Sequence, residues 1–222
     1  MVKKGFSLVE LLVVIAIIAL LMGILCPALL RARQQAKIVV VNAELSQIAL
    51  ALESYSFDNN DLFPPTRADC NPQARKHVFA LPKELVKSGY LTMGQEGNVT
   101  YAKIHDRYWK EVAYKYIAVG PLYDYTGTPL NNQYLYIPKT FPTSENGPLV
   151  KYKNTKESPI SWVIFSVGPK FDKNSLEERG FDLKGGFPVL DKFQYSQKTK
   201  SGVITRIRLN KSGHHIGTFA SR

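Results

Sequence analysis

From Leu11 to Leu30 the chain has 20 consecutive uncharged residues, LLVVIAIIALLMGILCPALL. As helix this run is about 30 Å long, the thickness of one hydrocarbon core. The run is headed by Glu10, and an acid near the lip of a membrane span costs up to roughly 2.5–3.5 kcal/mol at the bilayer centre, less toward the interface. A positively charged partner for Glu10 is therefore expected.

The residues before the run narrow its meaning. Lys3 and Lys4 lead into Gly5 and Phe6, then Ser7-Leu8-Val9-Glu10. Ser7-x-x-Glu10 fits a helix capping box, which is compatible with further roles for Glu10 and leaves Lys4-Gly5-Phe6 unexplained. A secretory signal would have about 7–15 apolar residues and a small-residue cleavage site. A lipoprotein signal would place a small residue before its cysteine, where Leu25 precedes Cys26. A plain anchor has no use for Gly5-Phe6 or Glu10.

The pattern K-G-F-S-L-V-E followed by an apolar helix resembles the leader and amino terminus of type IV pilins and of the pseudopilins of type II secretion. The resemblance implies cleavage between Gly5 and Phe6 by a prepilin peptidase, which also N-methylates Phe6. It implies that Glu10 faces the Phe6 ammonium of a neighbouring subunit during assembly, each charge offsetting the other's desolvation. It also implies a cytoplasmic leader at the bacterial inner membrane and a periplasmic or extracellular head. Lys3 and Lys4 on one side and Arg31, Arg33 and Lys37 on the other do not decide orientation by charge.

Beyond the run, Ile38, Val41, Leu45, Ile48, Leu52 and Tyr55 recur at helical spacing, so the helix is expected to continue to about Phe57. Asp58-Asn59-Asn60-Asp61 and Pro64-Pro65 end it. Pro27 removes one backbone bond and crowds the carbonyl of Gly23, which predicts a weak spot from Gly23 to Pro27. A simple kink and the local unwinding seen in pilin filaments both fit. The expected organisation is a leader over 1–5, a transmembrane helix over 6–30, a stalk helix over 31–57 and a globular head over 58–222.

Within the head, Leu81–Leu91 reads as a short helix opened by Pro82 and closed by Gly89. Strands are expected at Val112–Val119, Gln133–Ile137, Trp162–Val167 and Val203–Leu209. The segments Gly120–Pro129, Lys139–Pro159 and Gly168–Pro188 read as loops. The class is α+β: a long amino-terminal helix packed on a small antiparallel sheet.

No catalytic constellation is present: there is no H-E-x-x-H, G-x-S-x-G, Walker-type glycine loop or C-x-x-C. A structural protein is expected rather than an enzyme. The two cysteines, Cys26 in the apolar run and Cys70 outside it, imply no disulfide framework. The resemblance brings a calcium loop into view, because many relatives hold that ion near the carboxyl end. Asp172, Glu177, Glu178 and Asp182 could contribute, but Lys170, Lys173, Arg179 and Lys184 crowd them, so no cofactor is expected. Of the four histidines, the adjacent His214 and His215 read as a solvated tail.

The net charge is +11, falling to +9 if Lys3 and Lys4 leave with the leader. Lys192–Arg222 holds seven Lys or Arg and no acid, with Arg206 and Arg208 on one strand face. That pair could meet phosphates or an acidic partner, which keeps a DNA-binding minor pilin as the alternative to a purely structural subunit. Paired tyrosines (Tyr114 and Tyr116, Tyr123 and Tyr125, Tyr134 and Tyr136) favour packing over ligand stacking. Expected partners are the prepilin peptidase, other pilin or pseudopilin subunits and an inner-membrane assembly platform.

Overall fold

The computed structural model describes residues 8–68, 79–96, 99–110, 112–124, 127–172 and 181–219. One helix, α1, runs from Leu8 to Asp58 and passes through Gly23 and Pro27 without a break in its helical assignment. The chain divides into two compact units, residues 1–40 and 41–222.

From Leu8 to Leu30 the apolar side chains have no protein cover: Leu8 is 79% exposed and Ile24 72%. This is the one described helix long and apolar enough to cross a membrane. With hydrocarbon as solvent that exposure carries no penalty, whereas in water it would be untenable for so long a run.

The second unit is the head, and its longest helical part is the Val41–Asp58 end of α1. Val41, Leu45, Ile48, Ala49, Leu52 and Ser56 are buried there, on the stripe expected from their spacing. The helix ends on a left-handed turn at Asn60 and Asp61, residue types that tolerate positive φ. Asp61 N–H reaches back to the Ser56 carbonyl at 2.9 Å, satisfying an orphan acceptor of the last turn.

Three small two-stranded sheets accompany the main sheet of the head. They pair β1 (Thr66–Ala68) parallel to β5 (Leu122–Asp124), β2 (Met93–Glu96) antiparallel to β3 (Val99–Ala102), and β6 (Leu135–Pro138) antiparallel to β7 (Leu149–Tyr152). A short helix, α2, covers Lys83–Lys87. The main sheet is built from β4 (Lys115–Ala118), β8 (Ile160–Ser166), β9 (Ile204–Leu209) and β10 (His215–Gly217). Its order is β10-β9-β8-β4, antiparallel throughout.

Every residue of β8 is buried, as its apolar sequence requires of a strand covered on both faces. On one face Trp162 lies opposite Arg208 in register. On the other, Val163, Phe165 and Ile207 join a core completed by Ile117, Leu135, Ile137 and Val189. The fold is α+β as expected, and the four expected strands are present with ends displaced: β4 and β9 are shorter, β6 is shifted toward Pro138 and β8 begins at Ile160. The readings of Gly120–Pro129 and Lys139–Pro159 as loops require correction, since they contain β5 and β7. Residues of β5 are all half-buried and those of β7 alternate with solvent, so neither carries a core signal.

A buried carboxylate fixes the sheet's rim. Asp106 is fully buried and accepts from Ser166 Oγ at 2.7 Å, Val167 N–H at 2.8 Å and Tyr108 N–H at 2.9 Å. It thereby ties the loop before β4 to the end of β8, where the chain turns at Gly168 (φ 73°). A Cβ on Gly168 would collide with the Gly202 carbonyl, so this crossing requires glycine.

Leu52 is fully buried, so Leu52→Ala should destabilise the head by about 2–5 kcal/mol, read as a lowered unfolding midpoint of the detergent-solubilised chain. Burial raises the Asp106 pKa by more than its three hydrogen bonds and the Lys115 charge lower it. The folded state therefore keeps a proton that the unfolded chain releases at about pH 3.9. That contribution is complete below the unfolded value and is lost as pH rises through the raised folded one. Asp106→Asn should flatten this part of the pH–stability profile. It should also cost about 1–3 kcal/mol near neutrality, because Val167 N–H loses its acceptor. An unchanged profile contradicts the assignment.

Candidate functional site

The residues with functional promise concentrate on α1. Glu10 occupies its first turn and is exposed. Gly5 and Phe6, the expected cleavage pair, lie outside the described residues, as do Cys70, His77, Glu177 and Glu178. Cys26 is exposed on the apolar helix. Gly23 has open space beside it: apart from its chain neighbours and the local helix backbone, nothing lies within 4 Å of where a Cβ would stand.

Within the head, the acids of α1 turn toward the rest of the unit. Glu44 accepts from Arg107 Nε, at 2.9 and 3.0 Å to its two oxygens, and from the Tyr114 hydroxyl. Burial is the main reason the Tyr114 hydroxyl is held far above its ordinary pKa, with the Glu44 bond second. Glu53 Oε1 accepts from Arg208 Nε at 2.7 Å and lies 3.0 Å from His215 Nε2. Asp58 accepts from the Tyr90 hydroxyl, while the Tyr90 ring meets Tyr55 edge-on at 6.0 Å.

The two arginines singled out in the sequence are thus committed inside the head. Arg206 Nη2 donates to Ser46 Oγ at 2.7 Å, and its burial lowers its pKa. Arg208 also donates to Ser161 Oγ at 3.1 Å and stacks over Phe63 at 4.7 Å. A phosphate would have to displace these contacts. The acid that Arg208 meets is one the chain itself supplies.

The solvated-tail reading of His215 is corrected. Its ring packs on Trp162 at 5.2 Å and faces Glu53, from the first position of β10. The strand at residues 215–217 was missed because three residues, one of them glycine, carry no periodic signal. The Glu44 and Glu53 contacts did leave a trace: both acids flank the buried stripe of α1 rather than lying opposite it.

The tyrosines divide as packing groups. Tyr114 and Tyr116 are fully buried, and the Tyr116 hydroxyl donates to the Pro64 carbonyl at 2.6 Å. Arg67 lies over Tyr123 at 5.0 Å and Lys151 over Tyr134 at 3.9 Å, while Tyr125 lies outside the described residues. Asp172 and Asp182 border one cavity with Lys170. Among the described residues no three His, Cys, Asp or Glu converge as a metal site. Asp106, the described carboxylate most perturbed by burial, borders no described cavity and acts as a structural tie.

The amino-terminal segment has recognisable relatives. The family model for the prokaryotic N-terminal methylation motif matches residues 1–25. The type IV wide pilus major component PilA4 of Thermus thermophilus is 53% identical over 57 residues, covering 26% of this chain and 44% of that protein. The type II secretion system core protein G of Pseudomonas aeruginosa is 32% identical over 90 residues, covering 40% of this chain and 63% of that protein. The chain spans about half the length of the curated relatives it matches, and no solved structure matches it. Its amino-terminal segment is therefore of the prepilin type, shared with type IV pilins and type II secretion pseudopilins.

Proposed function

We propose that this chain is a structural, pilin-like subunit. A prepilin peptidase cuts between Gly5 and Phe6 and methylates the new terminus. The mature helix then leaves the inner membrane to polymerise with other pilin or pseudopilin subunits on an inner-membrane platform. The product is a type II secretion pseudopilus or a type IV pilus, with the head on the periplasmic or extracellular side.

One observation carries this reading: an apolar helix without protein cover begins at an exposed Glu10, inside a matched methylation motif. In a bundle of such helices the apolar sides exchange lipid for one another. Glu10 then lies where a neighbour's Phe6 ammonium can meet it at low dielectric, which favours one register over its neighbours. The internal engagement of Arg206 and Arg208 weighs against the DNA-binding alternative.

The processed chain purified from membranes should begin at N-methylated Phe6 by terminal sequencing and intact mass. A mature terminus at Met1 contradicts the proposal. Glu10→Ala should be inserted and cleaved as in the wild type, while its yield of sedimentable polymer falls at least about tenfold, the equivalent of about 1.4 kcal/mol or more per contact. Normal polymer yield would reduce Glu10 to a helix cap.

A further inference from the structure

Three cations follow the apolar run directly. Arg31 and Arg33 are exposed and Lys37 is half-buried, all on the unbroken α1. From Leu11 to Ala43 the chain has no acid, so no residue three or four positions from Arg31 or Arg33 can neutralise it along the helix. Arg33 and Lys37 are four positions apart, a like-charged spacing that by itself disfavours a helix.

Their heights follow from the span. With the hydrocarbon boundary at Leu30, the Cα atoms of Arg31, Arg33 and Lys37 stand about 1.5, 4.5 and 10.5 Å beyond it, at about 1.5 Å per residue. The headgroup layer fills roughly the first 5–8 Å of that distance. Side chains on a helix lean toward its amino terminus, which here is the membrane side, and long basic ones keep an apolar stem while the charge reaches the interface. The Arg33 guanidinium and the Lys37 ammonium are thereby both brought to the level of lipid phosphates. At about 100° per residue these two lie about 40° apart around the helix, whereas Arg31 is about 160° from Arg33.

The chemistry of the three groups selects their partner. A guanidinium grips phosphate oxygens through two parallel N–H donors, and an ammonium adds a point charge on a flexible stem. Basic residues beside a bilayer favour anionic over zwitterionic lipid, and salt screens that preference. A phosphate between Arg33 and Lys37 also offsets their mutual repulsion.

We propose that Arg33 and Lys37 clamp the phosphate of an anionic phospholipid, and that Arg31 takes a second one on the opposite side of α1. The contact rests on the reading of residues 6–30 as the membrane span of an assembling subunit. It fixes the depth of the waiting subunit and makes its release into a polymer depend on the charge of the surrounding lipid.

The test uses the full chain in phosphatidylcholine vesicles with a minor fraction of phosphatidylglycerol, in a Lys3→Gln and Lys4→Gln background so that the opposite interface offers no basic side chain. Spin-labelled phosphatidylglycerol should be immobilised at the protein about threefold or more over spin-labelled phosphatidylcholine, and about 1 M salt should bring the two to parity. Arg33→Gln with Lys37→Gln should remove most of the preference and Arg31→Gln part of it, while protease protection shows the helix still inserted. Inorganic phosphate should compete no better than chloride at equal ionic strength; better competition marks a site for free phosphate and overturns the lipid assignment. Lowered polymer from Arg31→Gln with Arg33→Gln, at unchanged lipid preference, gives these cations to a neighbouring subunit and overturns it too. An inserted chain that immobilises both lipids equally overturns the contact and leaves the assembly reading standing. A chain that fails to insert overturns both.

Discussion

The head depends on how it receives the Val41–Asp58 part of α1. Apolar burial of Val41, Leu45, Ile48 and Leu52 supplies most of the driving force, since these side chains are fully removed from water. The flanking charges decide the seating. Glu44 meets Arg107 and Tyr114, and Glu53 meets Arg208 and His215, so the helix is held at two points along its length. Such partly exposed pairs contribute little net stability, but a helix rotated or slid by one residue would leave them mismatched. Turning the acids inward has a second consequence. Up to Phe57 the outer face, with Ala43, Gln47, Leu50 and Phe57 exposed, carries no charge, and its one exposed acid is Asp58 at the helix end.

How much of this was readable in the sequence follows from what each element must satisfy. The apolar run and the stripe after it announced α1, because a 3.6-residue period over many turns has few other uses. β8 was legible because a strand covered on both faces must be apolar, and β9 because its apolar residues alternate with Arg206 and Arg208. β5, β7 and β10 were not, because short edge strands pair locally and keep solvent on one side. Side-chain partners were the least legible. That Asp106 meets Ser166 across 60 positions of chain is set by the tertiary fold, not by either neighbourhood. Arg206 and Arg208 were placed correctly on one strand face, but a sequence cannot say that α1 lies against that face.

The chain thus joins two parts with opposite demands. Residues 8–40 have apolar side chains that need lipid or other helices around them, while the head satisfies itself through its sheet, its grip on α1 and its Asp106 tie. The proposed filament subunit makes sense of the combination, because the same uncovered surface would serve first as a membrane anchor and later as the seam between subunits. A reconstruction of the assembled polymer at side-chain resolution tests this most directly. It should show the amino-terminal helices bundled along the axis, the heads outside, and each Glu10 carboxylate within ion-pair distance of a neighbour's Phe6 amine, about 4 Å or less. Heads in the axis with the apolar helices splayed into detergent, or a chain that stays monomeric once extracted, would contradict it.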